Sequence, residues 1–166
     1  MKKLNIGWYS FACCEDSTIM FAEVLNDYFF EFKSRFNFID VPVLNGKRDE
    51  EAPLDIAIIE GALVGKWEDK AKEIRDRAKV VVAIGSCACT GMPSAHRNNF
   101  SPEQNAEIAH VLEKFSYSDK VKSLEEVIKV DAKVPGCPMD LNAFMTAVNG
   151  LLKQFELEEI PITKTY

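Results

Sequence analysis

Apolar and polar positions switch between two periods along the 166 residues. Apolar runs at 4–10, 54–59 and 80–84 carry Ile, Val, Trp and Tyr and read as strands. The run at 54–59 is broken only by Asp55, and 80–84 is Val-Val-Val-Ala-Ile, as expected of parallel strands covered on both faces. Residues 36–43 read as a further strand that Pro42 pushes towards an edge, and 127–134 as an imperfectly alternating one. Between these runs the period becomes helical. Met20, Phe21, Val24, Leu25, Tyr28, Phe29 and Phe32 predict one long amphipathic helix over 18–32, capped by Asp16 or Ser17, with its aromatics in the core. Trp67, Ala71, Ile74 and Ala78 mark a helix over 66–78, and Ser101 with Pro102 opens another to about residue 115. Asp140 caps a last helix over 141–155, whose face carries Phe144, Met145, Val148, Leu151 and Leu152. Stretches 45–53, 85–91 and 92–100 read as loops, 116–126 is charged and unassigned, and the tail from 156 carries no clear element.

Strands alternating with helices imply βαβ units, right-handed crossovers and a mostly parallel α/β sheet with helices on both faces. The C-terminal ends of such strands share one edge, where open sheets bind their ligands. Loops 11–17, 85–91 and 135–138 each follow a strand and contain every cysteine of the chain: Cys13, Cys14, Cys87, Cys89 and Cys137. Thiolate is a soft ligand that suits zinc or an iron–sulfur cluster, and a cubane takes four. Structural zinc usually draws on Cys-x2-4-Cys pairs. Cys87 and Cys89 are one residue too tight for that and Cys13 and Cys14 are adjacent, so spacing leans towards the cluster. The bland alternative is that Cys89 and others are buried small hydrophobes.

Composition narrows the classes. With 20 Lys and Arg against 26 Asp and Glu, the net charge is −6 and no basic stripe for nucleic acid exists. The length suits one domain over 1–166. The N-terminus has no apolar run of signal-peptide length, and nothing approaches the ~20 apolar residues that span a bilayer, so the expectation is a cytoplasmic chain without direct membrane insertion. In a reducing compartment, five cysteines suit metal ligands, catalytic groups or buried small hydrophobes better than disulfides. Gly85 and Gly91 frame no phosphate loop, because Gly-Lys-Ser/Thr does not follow, and Gly-x-Gly-x-x-Gly is missing; a nicotinamide or flavin belongs to another subunit.

Ala12-Cys13-Cys14, Gly85-Ser86-Cys87-Ala88 and Pro135-Gly136-Cys137-Pro138 resemble, in order, the cluster motifs of the small subunit of [NiFe]-hydrogenases and of its relative, the 20 kDa iron–sulfur subunit of NADH:quinone oxidoreductase. The resemblance runs from about residue 4 to 152. It implies a flavodoxin-like domain with one [4Fe–4S] cluster held by Cys14, Cys87 and Cys137, with Cys13 as the fourth ligand. Hydrogenase small subunits usually place a Cys-x-x-Cys in the first motif, which would need a cysteine at Phe11; the tandem Cys13-Cys14 is similar to the quinone-reductase branch instead. The stretch from Thr90 to Asn98 is similar to the Gly-x-Pro-Ala-x-Arg-Asn segment of soluble hydrogenase small subunits. Lack of an N-terminal extension, and of room for further clusters, points the same way.

The resemblance further implies an electron-relay subunit of an oxidoreductase, inactive alone and without catalytic residues of its own. Its partners would be a large catalytic subunit, nickel–iron in type, and further iron–sulfur or flavin subunits, through which it could associate with a membrane. The alternatives are a nickel-free quinone or other-acceptor oxidoreductase, and a zinc-stabilised interaction protein. Glu15 and Asp16 are candidates for a proton relay or for charges on a helix dipole. His96 and Arg97 are candidates to hydrogen-bond cluster sulfur, line a subunit interface or sit in a solvated loop. Cys89 is a spare ligand or a packed residue near the site.

Overall fold

A computed structural model describes residues 2–43, 49–118 and 120–164. Five strands form one sheet in the order β2-β1-β3-β4-β5: β1 (Leu4–Ser10), β2 (Phe36–Asp40), β3 (Leu54–Glu60), β4 (Ala78–Ile84) and β5 (Ala132–Val134). Every neighbouring pair is parallel. Parallel strands are buried on both faces, and side chains alternate across them. Leu4, Ile6, Trp8, Ile56, Ile58, Val80 and Val82 therefore enter one core, with Phe21, Phe32 and Phe144 from α1 (Asp16–Asp27), α2 (Phe29–Arg35) and α6 (Leu141–Gln154). Tyr9, Ala57, Ile59, Val81 and Ala83 enter the other, against Ala71 and Ile74 of α3 (Trp67–Arg77) and Leu124 and Ile128. Trp8 stacks on Phe21 with ring centroids 4.0 Å apart and meets Phe144 edge-on. This is the flavodoxin-like arrangement, with β1 and β3 at the point where strand order reverses.

Several expected elements differ. The helix predicted over 18–32 breaks at Tyr28, which leaves helical geometry at φ −125°. Asn26, Asp27 and the aromatics after them are weak helix formers. The Tyr28 hydroxyl, moreover, accepts from the Thr163 and Lys164 backbone N–H groups at 2.9 and 3.0 Å. The break turns Phe32 into the core and leaves Phe29 half exposed, against the expectation that it is core. Neither Asp16 nor Ser17 caps α1; the N-cap is Glu15, at φ 62°, and its side chain makes no cap bond. The segment expected as a loop at 85–91 begins as a short helix, α4 (Gly85–Thr90), and that expected at 92–100 contains a 3-10 turn over Ser94–Asn99.

Strand β2 stops at Asp40, short of Pro42; the buried Asp40 accepts from the Tyr9 hydroxyl at 2.7 Å and from Arg77 at 3.1 Å. The expected strand over 127–134 keeps only its last three residues, because Leu124 and Ile128 before it cover the second core as coil. Helix α5 (Pro102–Lys114) forms as expected, with a full Ser101/Gln104 capping box, yet buries none of its residues. Asp140 caps α6 through Ala143 N–H at 2.7 Å. Residues 44–48, which include the first part of the expected 45–53 loop, lie outside the described residues.

Candidate metal centre

Strand register places the site. Ser10, Glu60, Ile84 and Val134 pair in one row across β1, β3, β4 and β5. Cys13, Cys87 and Cys137 are each the third residue beyond a member of that row, so the thiol loops leave the sheet side by side. Adjacent strands lie about 4.8 Å apart, which keeps these loops within one small neighbourhood. Local bonds then fix them to one another. Ala12 and Ala62 exchange backbone bonds at 3.2 and 3.0 Å, Ser86 N–H donates to Gly136 O at 2.6 Å, and Met139 N–H donates to Ser17 Oγ at 3.2 Å. Gly136 turns at φ 128°, where a Cβ would stand 2.4 Å from Pro138 O, so only glycine can carry the chain into Cys137.

The result is an open cleft of about 450 Å³ whose wall includes Cys13, Cys14, Cys87 and Cys137. Val64, Val121, Ala12 and Tyr117 supply much of the remaining wall, and Arg97 completes it. Cys14 and Cys137 are exposed, Cys13 and Cys87 half-buried. Cys89 does not line this cleft: it is buried in the second core, where its thiol donates to Ala83 O at 3.5 Å. Among the described residues, no three His, Cys, Asp or Glu side chains come close enough together to hold a single metal ion. The four thiols are instead distributed around a shared space.

That space disfavours the thiolate form. Burial, and then the charges of Glu60, Cys87 and Glu15, push the Cys13 thiol up to about 12, against one lowering bond from the Glu15 backbone. Burial, and then Cys14, Cys137, Asp16 and Glu60, raise Cys87. Cys137 is raised chiefly by its hydrogen bond to Asp16, Sγ to Oδ2 at 3.4 Å, and by the charge of that carboxylate. Thiols held protonated by burial and by neighbouring negative charge become ligands only when a positive centre compensates them, which metal ions do.

Glu60 carries no signal in the sequence beyond being an acid at the end of an apolar strand. It is 1% exposed. Its carboxylate accepts from Ser17 N–H and Thr18 N–H, both at 3.0 Å, and from the Thr18 hydroxyl at 2.7 Å. This carboxylate, reaching from β3, caps α1 in place of the expected local side chain. Burial, opposed by these donors, leaves Glu60 raised, with Asp16 adding to the shift. Burial also presses Asp16 upward, but bonds from Cys137, Glu60, Ser17 N–H and Cys14 outweigh it and hold Asp16 below its ordinary value. Glu15 bends the backbone just after Cys14. His96 is exposed, its ring edge-on to Phe100 at 6.1 Å, and does not line the cleft. Arg97 does, and its Nη2 donates to Ser118 O at 2.6 Å. Among the described residues, its Nε is a buried side-chain donor with no partner, which costs about 1–3 kcal/mol.

A five-stranded parallel sheet with four thiols gathered at its C-terminal edge defines a flavodoxin-like protein built around a thiol-lined cleft. The chain belongs to the family described as NADH ubiquinone oxidoreductase, 20 Kd subunit, which matches residues 12–151. It is 30% identical over 173 residues to a subunit of the F420-non-reducing hydrogenase of Methanothermobacter thermautotrophicus, covering 95% of this chain and 56% of that protein. It is 28% identical over 88 residues to the gamma subunit of the coenzyme F420 hydrogenase of Methanosarcina barkeri, covering 51% of this chain and 30% of that one. The chain thus spans about half the length of its F420-non-reducing hydrogenase relatives. Among solved structures, a chain of an NAD+-reducing [NiFe]-hydrogenase in the H2-reduced state matches with a TM-score of 0.77 at 22% identity, covering 99% of this chain and 98% of that one. A reduced, active Ni-Fe-Se hydrogenase from Desulfomicrobium baculatum matches with a TM-score of 0.66 at 14% identity, covering 95% and 66%. No described helix is long and apolar enough to cross a membrane.

Proposed function

We propose that this chain is the electron-transfer small subunit of a [NiFe]-hydrogenase-type complex, holding one [4Fe–4S] cluster through Cys13, Cys14, Cys87 and Cys137. The observation that carries the reading is the gathering of four thiols, from three strand-terminal loops, on one cleft. The donor set suits the group: soft thiolates, spread around a space too wide for one ion, in a pocket where burial and nearby acids keep the thiols neutral until a metal compensates them. When bound, the cluster supplies one-electron transfer.

The chain's own residues do the rest. Gly136 and the Ser86–Gly136 bond hold the Cys87 and Cys137 loops together, and Glu60 holds the start of α1 behind Cys13 and Cys14. Asp16 Oδ2 accepts a hydrogen bond from the Cys137 thiol and so orients that side chain at the cleft wall. Val64 and Val121 keep the inner wall apolar, while the exposed Cys14 and Cys137 mark the side that a large catalytic partner would cover. One domain with one cluster, working with a nickel–iron large subunit and further iron–sulfur or flavin subunits, is the arrangement in which such a relay makes sense. Any membrane association would run through those partners.

A second reading keeps the cluster and changes the partner. The tandem Cys13-Cys14 and the family to which the chain belongs also suit a nickel-free complex reducing quinone or another acceptor. Anaerobic isolation of the complex with its partners separates the two. The hydrogenase reading predicts nickel in the complex and reduction of this chain's cluster by H2, followed by electron paramagnetic resonance. A complex free of nickel, whose cluster is reduced by quinol but not by H2, overturns it in favour of the second.

A further inference from the structure

Of the described residues that line the thiol cleft, Arg97 alone carries a formal charge. It also stands on the wall of a second cavity of about 500 Å³, under α5. Its placement is determined by the 3-10 turn over Ser94–Asn99, where the neighbouring Asn98 does the structural tying. Asn98 Nδ2 donates to Val121 O at 2.7 Å, and its Oδ1 accepts from Val121 N–H at 2.8 Å. Leu63 and Lys122 exchange backbone bonds at 2.8 and 3.0 Å and fix the same segment from the other side. The segment does not need Arg97 to hold it. Among the described residues, a single bond, from Nη2 to Ser118 O, leaves the buried Nε without an acceptor on a wall that also carries four thiols. Among the described residues, nothing pairs with this buried donor. An anionic group in the cleft would.

We infer that Arg97 sets the reduction potential of the group bound in the cleft, by hydrogen-bonding its sulfur and by opposing the charge it gains on reduction. This rests on the cluster reading above. A cluster held by four thiolates is anionic, and one added electron makes it more so, so a guanidinium nearby stabilises the reduced form more than the oxidised one. Arg97 is a positioning and tuning residue here, and His96, which points away to Phe100, takes no part.

The test is a redox titration of the anaerobically purified complex, read by electron paramagnetic resonance, for wild type, Arg97→Gln and Arg97→Lys, with iron and acid-labile sulfide measured on each. Arg97→Gln is expected to keep its iron and sulfide and to shift the potential downward by about 59 mV, a tenfold change in the reduced-to-oxidised ratio for a one-electron couple. Arg97→Lys, which keeps the charge and loses the planar fork, should shift it less in the same direction. An unchanged potential in a loaded Arg97→Gln overturns the inference. If that variant does not load, an unchanged potential in Arg97→Lys does so. Absence of iron and sulfide from wild type itself is a different result, and it overturns the cluster reading rather than the role of Arg97.

Discussion

Cys87 and Cys137 sit at equal distances past paired strand ends, while Cys89, two residues on from Cys87, turns into the second core. Replacing either of the first two by serine is expected to abolish iron and sulfide binding in the anaerobically purified protein, whereas Cys89→Ser should leave both at the wild-type level. Glu60 belongs to the same scale. Removing its carboxylate takes an acceptor from the Ser17 and Thr18 N–H groups and from the Thr18 hydroxyl, of which Ser17 N–H keeps Asp16 Oδ1 at 2.7 Å. Glu60→Ala should therefore cost roughly 2–3 kcal/mol in urea unfolding, and Glu60→Gln less, since one oxygen remains. A Glu60→Ala protein as stable as wild type would contradict this cap. The thiols were legible because cysteine is rare and its chemistry narrow. Glu60 was not, because an acid at a strand end looks like an ordinary surface charge until register shows that it faces the start of a helix from another strand.

At the scale of elements, the short strand β5 is held through Asp131, whose Oδ2 accepts from Val81 N–H at 2.8 Å and from Arg75 at 2.6 Å. Burial pushes this carboxyl up, but the Val81, Arg75 and Lys129 bonds outweigh it and hold it below its ordinary value. A depressed folded value means stabilisation that is complete above the unfolded value of about 3.9 and is lost as pH falls through the folded one. Asp131→Asn should lower stability at pH 7 by about 1–2 kcal/mol. It should also flatten the loss between pH 4 and the acid limit, as measured by urea unfolding across about pH 2–7. An unchanged acid limb would contradict the assignment. Gly136→Ala tests the loop beyond the same strand: the close approach to Pro138 O predicts displacement of Cys137 and loss of cluster content. Element type was readable where period was strong, as in β3, β4 and α6. It failed at Tyr28 and over 127–131, where a tertiary hydrogen bond and burial of coil overrode local pattern.

For the whole molecule, parallel pairing converts three sequence-distant loops into one edge, so the alternation of strand and helix was enough to anticipate a single thiol site. The exposure of Cys14 and Cys137 at that edge was not readable, since it is a property of the folded surface. That exposure predicts that the isolated chain loses cluster absorbance in air several-fold faster than the assembled complex; equal half-lives would speak against a partner seated over the cleft. The most direct measurement on the central claim is metal and sulfide analysis of the anaerobically purified chain. The account predicts about four iron and about four acid-labile sulfide per chain, with zinc far below stoichiometric. One zinc per chain without labile sulfide would contradict it.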